Sequence, residues 1–159
     1  MRSTLKLREV YDKDCRLIWE WSNDPDVRAV SFSHEPIPYQ DHVKWFKSKL
    51  KDIDCYFYIA EDINQKPVGQ VRYDLEGNEA RISVSLDRKF RGKGYGTLLI
   101  KLASQKLFVV ADVDVIHAYV RRANQASVKA FKKAGFIILE NTVINDQQAS
   151  HFILEKKSG

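Results

Sequence analysis

The sequence predicts an α/β protein built on one mixed, mostly antiparallel sheet of about six or seven strands, with about four helices. Three observations support this fold class. Strand-like runs follow one another between residues 56 and 86 with only short turns between them, which is typical of an antiparallel meander. A long helical run then leads to a further strand, which indicates a parallel crossover. Two more strand runs near the end of the chain flank Asn145-Asp146, as expected for a hairpin.

The length and composition favour one globular domain over residues 1–159. A chain of 159 residues can bury a single sizeable core, and 44% hydrophobic with 30% charged residues excludes an intrinsically disordered protein. The net charge of +5 suits an anionic ligand such as a nucleotide-bearing cofactor. The cations are spread along the chain rather than collected in one block, so we expect no nucleic-acid partner. A monomer and a homodimer both remain open.

Two further features concern the compartment. No apolar run is long enough to span a bilayer, and no N-terminal stretch resembles a signal peptide. Cys15 and Cys55 lack the spacing of metal ligands, and free thiols in a reducing cytosol are the favoured interpretation. We therefore expect a cytoplasmic protein with no membrane partner and no metal.

The N-terminal third combines one strand with two helices. Leu5–Val10 alternates between apolar and polar residues and is expected to form the first strand, and Asp12 is placed to cap the helix that follows. This helix is expected to end near Asn23-Asp24-Pro25, because proline disfavours helical geometry in the residue before it. After a loop over residues 31–38, apolar residues on one face predict a second helix over Tyr39–Lys51.

Strands and one long helix occupy the middle of the chain. The predicted strands cover Tyr56–Ala60, Val68–Tyr73 and Ala80–Leu86, and turn-forming residues separate them. The main helix is expected from Gly94 to about Val109. The next strand, Asp114–Val120, should run parallel to the strand before that helix, because the connection is a helical crossover.

The C-terminal part ends the sheet. Asn124–Lys133 is expected to form a short helix, and Gly135 lies just past its end, where glycine is favoured. Phe136–Glu140 and Ser150–Glu155 are expected to pair as the closing hairpin.

The segment Arg91–Gly96 is the strongest functional signal, with three glycines and two cations in six residues. Glycine lets backbone N–H groups approach a ligand closely, and the first turn of the helix that follows adds unpaired N–H donors and partial positive charge. A strand, a glycine-rich turn and a helix N-terminus are typical of a phosphate-binding site. The spacing is neither that of a Walker A loop nor that of the Rossmann fingerprint, whose third glycine would fall at Thr97.

The same loop fits Arg/Gln-x-x-Gly-x-Gly/Ala, the acetyl-CoA pyrophosphate loop of the GCN5-related N-acetyltransferase (GNAT) family, which the chain resembles over roughly its whole length. One strand later, Asn124, Ser127 and Phe131 fall in a segment similar to the family's Asn-x-x-Ala/Ser-x-x-x-Tyr/Phe motif, followed by Gly-Phe. The order of elements is also that of the family. The resemblance implies the GNAT fold, with the sheet splayed between strands 4 and 5. It also implies a metal-independent N-acetyltransferase that uses acetyl-CoA.

The N-terminal third resembles a particular part of the family. Trp19–Arg28 and His42–Phe46 are similar to segments of amino-sugar and nucleotide-sugar N-acetyltransferases, and acetyltransferases of ribosomal-protein N-termini and of polyamines share parts of them. In the family this third forms the acceptor side. The resemblance therefore implies substrate contacts from four residues of this region: Trp21, Arg28, Phe32 and His42.

The resemblance also implies which residues bind the cofactor, from the strand before the loop, the loop itself and the short helix. They are Val84, Ser85, Leu86, Arg91, Gly92, Lys93, Gly94, Tyr95, Gly96, Thr97, Asn124, Ser127 and Phe131. A backbone N–H near Leu86 is expected to stabilise the charge that develops on the thioester oxygen. Asn124 is equally suited to capping the short helix, and both roles are compatible.

The proton donor and the general base remain open. Phe131 stands where many family members carry a tyrosine, and phenylalanine has no proton to give. Tyr119 and Tyr95 are alternatives, and so is protonation of the departing CoA thiolate by solvent. His34 and Glu35, on the acceptor-side loop, are candidates for the base by residue type and position.

Three functions are therefore compatible with the sequence. The first is an N-acetyltransferase acting on a small-molecule amine, such as a nucleotide-linked amino sugar. The second keeps the chemistry but takes a protein N-terminus as the acceptor. The third is a CoA-binding module without transfer activity, which the phenylalanine at position 131 favours.

Overall fold

Seven strands form one mixed sheet in the computed structural model, which describes residues 4–157. The strands are β1 (Lys6–Glu9), β2 (Cys55–Glu61), β3 (Pro67–Glu76), β4 (Glu79–Leu86), β5 (Val115–Arg121), β6 (Ile137–Ile144) and β7 (Gln147–Glu155). Their order across the sheet is β1-β2-β3-β4-β5-β7-β6, in which β4 and β5 run parallel and the other neighbours run antiparallel. The predicted mixed, mostly antiparallel sheet is confirmed.

Helices cover both faces of this sheet. Within residues 4–157 they are α1 (Cys15–Ser22), α2 (Pro25–Val30), α3 (Tyr39–Lys51), α4 (Tyr95–Val110) and α5 (Gln125–Lys133), with 3-10 turns at Asp12–Asp14 and Arg88–Phe90. Among these residues, no helix has the length and apolar character needed to cross a bilayer.

The helix α2 was not expected from the sequence. Pro25 lies three residues after the end of α1 and occupies the first turn of α2, where its missing N–H costs nothing. The carboxylate of Asp24 caps this second helix by accepting a hydrogen bond from the N–H of Asp26 at 2.9 Å. Asp12 does not cap α1 as predicted, because it begins a 3-10 turn and Asp14 takes the cap position instead.

The core forms two layers because successive side chains of a strand face opposite sides of the sheet. Tyr58 and Ala60 of β2 pack in the larger layer, to which α4 and α5 contribute. Phe57 and Ile59 of the same strand pack in the second layer, against α1 and α3. The closing hairpin turns at Asn145-Asp146 as predicted, with φ of 50° and 61°.

The sheet opens between β4 and β5. Their parallel pairing extends from Glu79 to Arg81 on β4 and from Val115 to His117 on β5. β4 continues five residues further, to Leu86, and β5 continues to Arg121. The splay that the family resemblance implies is thus present, and its mouth lies next to the glycine loop.

Arg8 ties β1 to the start of the helical region. Its Nη1 and Nη2 donate to the carboxylate of Asp14 at 2.9 Å each, and its Nε donates to Glu61 at 2.9 Å. Burial disfavours the charged form of Asp14. The hydrogen bonds from Arg8 and from the N–H of Tyr11 outweigh it, so the pKa of Asp14 lies below its ordinary value.

We expect Asp14→Asn to lower the free energy of unfolding at pH 7 and to have a smaller effect at pH 3. A carboxylate whose pKa is depressed by folding stabilises the protein fully above its unfolded pKa of about 4, and this contribution disappears as the pH falls through the native pKa. Urea unfolding of both proteins at the two pH values measures the difference. The exposed Asp112→Asn is the matched control. An equal loss of stability at both pH values would contradict the prediction.

Candidate functional site

The unpaired end of β4 exposes backbone hydrogen-bonding groups to the split. Asp87 donates its N–H to the carbonyl of Val68 on β3 at 2.7 Å. Hydrogen-bonded and non-hydrogen-bonded pairs alternate along an antiparallel ladder, so the N–H and C=O groups of Val84 and Leu86 point away from β3 and towards β5. Since the ladder with β5 ends at Arg81, these groups have no partner on β5 and face the cleft, where the Leu86 carbonyl accepts hydrogen bonds from Arg91.

A cavity of about 590 Å³ occupies this cleft. Its walls are the end of β4, the glycine loop, the N-terminal part of α4, one side of α5, and α2. Most of the residues expected to bind the cofactor line it: Val84, Ser85, Leu86, Arg91, Gly92, Gly94, Gly96, Thr97, Asn124 and Ser127. Residues distant in sequence therefore meet at one cavity.

The glycine loop places free N–H donors at the mouth of this cavity. Gly92 and Gly94 have φ of 72° and 86°, a conformation that other residues rarely adopt. A Cβ added at either residue would meet no atom within 4 Å, so the loop surface is open. The N–H of Leu98 bonds to the carbonyl of Gly94 at 3.3 Å, which leaves the earlier N–H groups of α4 without an intrahelical acceptor.

The Arg91 side chain is hydrogen-bonded to other residues of the protein and is not a freely solvated surface cation. Its Nε and Nη2 donate to the carbonyl of Leu86 at 3.2 and 3.0 Å, and Nη2 also lies 3.2 Å from the carboxylate of Asp24. Lys93 is exposed, and Tyr95 packs edge-on against Phe90 with ring centroids 5.5 Å apart. Neither of these two side chains lines the cavity, so a cofactor contact there would come from the backbone.

A second cavity of about 200 Å³ adjoins the first. Both are lined by Val84, Asn124 and Ser127, so they meet where β4 and α5 approach each other. Phe32, Tyr119 and Phe131, three of the expected site residues, line only this second cavity of the two, together with Arg81, Ser83 and Arg121.

Asn124 caps α5. Its Oδ1 accepts a hydrogen bond from the N–H of Ser127 at 3.3 Å, which confirms the expected capping role. Because Asn124 lines both cavities, its second expected role, a contact to the cofactor, remains a prediction that the geometry permits.

The two candidate bases lie outside both cavities. His34 is exposed, and its Nε2 lies 2.9 Å from Nη1 of Arg121, which engages that nitrogen as an acceptor. Glu35 is also exposed, and its carbonyl accepts from Arg28 at 3.3 Å. Arg28 itself is half-buried, and burial lowers its pKa. It does not line either cavity, whereas Phe32 does.

Two expected substrate contacts are corrected by the structure. Trp21 is 5% exposed and donates its Nε1–H to Asp87 at 2.9 Å. His42 is 3% exposed, with Nε2 2.9 Å from the carbonyl of Cys15, and burial lowers its pKa. Both side chains are buried on the side of the sheet covered by α1 and α3, which leaves them no surface for an acceptor. Aromatic residues at helical spacing fit a core and a binding face equally well.

Gly69 is a positioning residue that sequence reasoning missed. A Cβ built on it would lie 2.5 Å from the carbonyl oxygen of Ser85 and 2.8 Å from Cδ2 of Leu86. Glycine here lets β3 approach β4 beside the cleft. The available signal was a glycine inside a predicted strand, which marks a close backbone approach.

A pair of histidines lies on the face of β5 opposite α4. His117 Nδ1 is 2.7 Å from His151 Nε2, and His117 Nε2 is 2.6 Å from the carboxylate of Glu79. Tyr119 stacks on His151 with ring centroids 4.3 Å apart. Burial and the neighbouring His117 lower the pKa of His151. These contacts hold Tyr119 in place at the second cavity.

The model of the GNAT acetyltransferase domain family matches residues 4–137. The chain belongs to the GNAT acetyltransferase family. The resemblance stated from the sequence motifs is therefore confirmed, and so is the assignment of this GNAT domain to the acyltransferases.

Individual relatives are distant. Acetyltransferase PseH of Campylobacter jejuni is 21% identical over 154 residues, covering 94% of this chain and 90% of that protein. The uncharacterized protein MJ1062 of Methanocaldococcus jannaschii is 24% identical over 137 residues, or 84% of this chain, but the match spans only 28% of that longer protein. Spermidine N-acetyltransferase from Vibrio cholerae, crystallised with CoA and spermine, shares the fold with a TM-score of 0.85 at 20% identity and 95% coverage of both chains.

Proposed function

We propose that this GNAT protein transfers an acetyl group from acetyl-CoA to the primary amine of a small molecule by direct attack. The observation that carries the proposal is the cleft between β4 and β5. There, N–H donors of the glycine loop and of α4 lie beside the Val84 backbone and the Leu86 N–H, which have no partner on β5. The N–H donors of the loop and of α4 suit a diphosphate, and the exposed backbone of β4 suits the amide-bearing arm of CoA.

The residues of the cleft fit this cosubstrate. The open surface at Gly92 and Gly94 and the first turn of α4 would hold the diphosphate, and Thr97 adds a hydroxyl at the cavity wall. Asn124 and Ser127 line the cavity where the arm would pass. Acetyl-CoA supplies the activated acetyl group as a thioester. The related fold crystallised with CoA supports the same choice.

The N–H of Leu86 is our candidate donor to the thioester oxygen. Donors fixed in place before the reaction stabilise developing charge effectively, and the loss of one such donor in other enzymes costs about 3 kcal/mol. Arg91 holds the end of β4 through two hydrogen bonds to the Leu86 carbonyl. Asp24 keeps Arg91 in that position.

Tyr119 is our candidate proton donor. It lines the same cavity as Phe131, which lacks the hydroxyl of the family's usual tyrosine. We propose water as the base. His34 and Glu35 lie outside both cavities, so a proton from the acceptor ammonium reaches either of them only through intervening water molecules.

We expect Tyr119→Phe to lower kcat about a hundredfold or more, with little change in the KM for acetyl-CoA, because general acid catalysis contributes on that scale. Steady-state release of free CoA thiol measures both constants. Tyr11→Phe, at a tyrosine 52% exposed and outside both cavities, is the matched control. Unchanged kcat in Tyr119→Phe would point to protonation by solvent instead.

The acceptor is proposed to be a small molecule such as a nucleotide-linked amino sugar. The second cavity, at about 200 Å³, matches a compact group better than an extended peptide. The similarity of the N-terminal third to amino-sugar and nucleotide-sugar enzymes points the same way. Cys15 and Cys55 are free thiols, which fits the reducing cytoplasm as the proposed compartment.

A screen of amines for thiol release tests the proposal. The panel contains UDP-linked amino sugars, polyamines and short peptides, and mass spectrometry identifies the acetylated product. Conversion of acetyl-CoA to CoA should require an amine. Turnover of peptides with none of amino sugars would instead identify an N-terminal acetyltransferase. CoA binding without turnover of any amine would identify a non-catalytic CoA-binding module.

A further inference from the structure

The second cavity carries positive charge with no neutralising carboxylate in its wall. Arg81 and Arg121 line it, and the other lining residues are apolar or uncharged polar groups. This distribution is unexpected for an enzyme whose acceptor must arrive as an ammonium ion. Two like charges would repel such a cation unless the acceptor also brings a negative group.

Arg81 is positioned but not paired. Its guanidinium carbon lies 4.7 Å from the centre of the Tyr119 ring, a stacking arrangement that orients the planar group. Within residues 4–157 no carboxylate lies within 4 Å of its nitrogens. Glu79, two residues earlier on the same face of β4, is hydrogen-bonded to His117 instead. The N–H donors of Arg81 are therefore available to a ligand.

Arg121 is anchored through neutral partners. Its Nη1 donates to the carbonyl of Ala29 at 2.7 Å and to Nε2 of His34 at 2.9 Å. Its Nε is buried and makes no hydrogen bond within the described part of the chain. These contacts fix the side chain under α2 without cancelling its charge.

The two arginines lie at different distances from the point of transfer. In the parallel ladder Arg81 pairs with His117, so Arg121, four residues further along β5, lies near the level of Ser85. Arg81 is three residues before Val84, or about 10 Å along the strand. An anion bound by Arg81 therefore lies far enough from an amine that reacts beside Val84 and Leu86 to leave room for a sugar ring between them.

We propose that the acceptor carries a phosphate group, which Arg81 binds at the far end of the second cavity while Arg121 lines the end near the reacting amine. This inference rests on the proposed transfer to a small-molecule amine and narrows its substrate class. The amine belongs to a phosphorylated or nucleotide-linked amino sugar. Polyamines, which carry only positive charge, are disfavoured by the same two arginines, although the fold is shared with a spermidine acetyltransferase.

The test compares acceptors that differ in charge, at saturating acetyl-CoA so that the main cleft is filled. Four acceptors are compared. They are a UDP-linked amino sugar, which carries phosphate; glucosamine, which carries no acidic group; glutamate, which carries carboxylates; and spermidine, which carries only positive charge. We expect kcat/KM for the phosphate-bearing acceptor to exceed that for glucosamine at least tenfold. Arg81→Gln should reduce this ratio about tenfold or more, because a charge-assisted hydrogen bond is lost. Lys101→Gln, at an exposed position on α4, should leave it unchanged.

Calorimetry provides a readout that does not depend on turnover. The UDP-linked amino sugar should bind the CoA-saturated protein, and Arg81→Gln should weaken that binding about tenfold or more. Transfer to glucosamine or spermidine as efficient as to the phosphate-bearing amine would overturn the inference while leaving the proposed function intact. A higher kcat/KM for glutamate than for the phosphate-bearing amine would also overturn the inference, because the bound anion would then be a carboxylate. If no amine is acetylated, the proposed function fails, and Arg81-dependent binding then decides separately whether the anion site exists.

Discussion

Gly96→Trp is expected to abolish CoA binding while leaving the protein folded. A Cβ at position 96 would lie 3.6 Å from Cδ1 of Leu86 and 3.8 Å from Cβ of Ala130, both at the wall of the main cavity. An indole attached there would occupy the space between β4 and α5 that the cofactor arm needs. The backbone of Gly96 is helical rather than left-handed, so a side chain causes no backbone strain.

Calorimetric titration with CoA measures the loss, and thermal unfolding verifies the fold. Gly96→Ala is the matched control, because its methyl group would sit at ordinary contact distance from both neighbours and leave most of the cavity open. We expect CoA to bind Gly96→Ala with an affinity close to that of the parent protein. Unchanged CoA affinity in Gly96→Trp would show that the cofactor binds elsewhere and would remove the basis of the proposed function.

The loop was predictable because its chemistry is local. Six consecutive residues, Arg91–Gly96, contain the glycines that the turn requires, and the flanking periodicities mark the strand and the helix. The same holds for the cap at Asn124, whose bond spans three residues. The glycine loop and the helix cap could be predicted because all the residues that form each of them lie close together in the sequence.

The remainder of the site depends on partners that the sequence does not bring together. Trp21 and His42 fitted an acceptor face until the structure showed that α1 and α3 turn them inward. Arg81 and Arg121 were not predicted as site residues. The resemblance implied a splay between β4 and β5, but neither segment indicates that it begins just beyond residue 81. Likewise, the partners of Arg91 include Asp24, which lies 67 positions away in sequence.

Gly69 is the position at which a very small substitution is expected to have a large effect. Gly69→Ala adds one methyl group, and its Cβ would lie 2.5 Å from the carbonyl oxygen of Ser85 and 3.2 Å from Cα of Leu86. These are backbone atoms, which cannot rotate away as a side chain would, so β3 and β4 must move apart. We expect the free energy of unfolding to fall by about 1–3 kcal/mol, the usual cost of overpacking.

Catalysis should suffer more than stability in Gly69→Ala, because the displaced atoms belong to the segment that presents the N–H of Leu86. A misplacement of about 1 Å at a reacting centre can cost a hundredfold in rate, so we expect kcat to fall at least tenfold. Urea unfolding and thiol release measure the two effects, and Gly96→Ala again controls for the exchange of glycine for alanine. If Gly69→Ala kept both the stability and the kcat of the parent protein, the close approach of β3 to β4 would not be what positions Leu86, and the donor to the thioester oxygen would have to be sought elsewhere in the cleft.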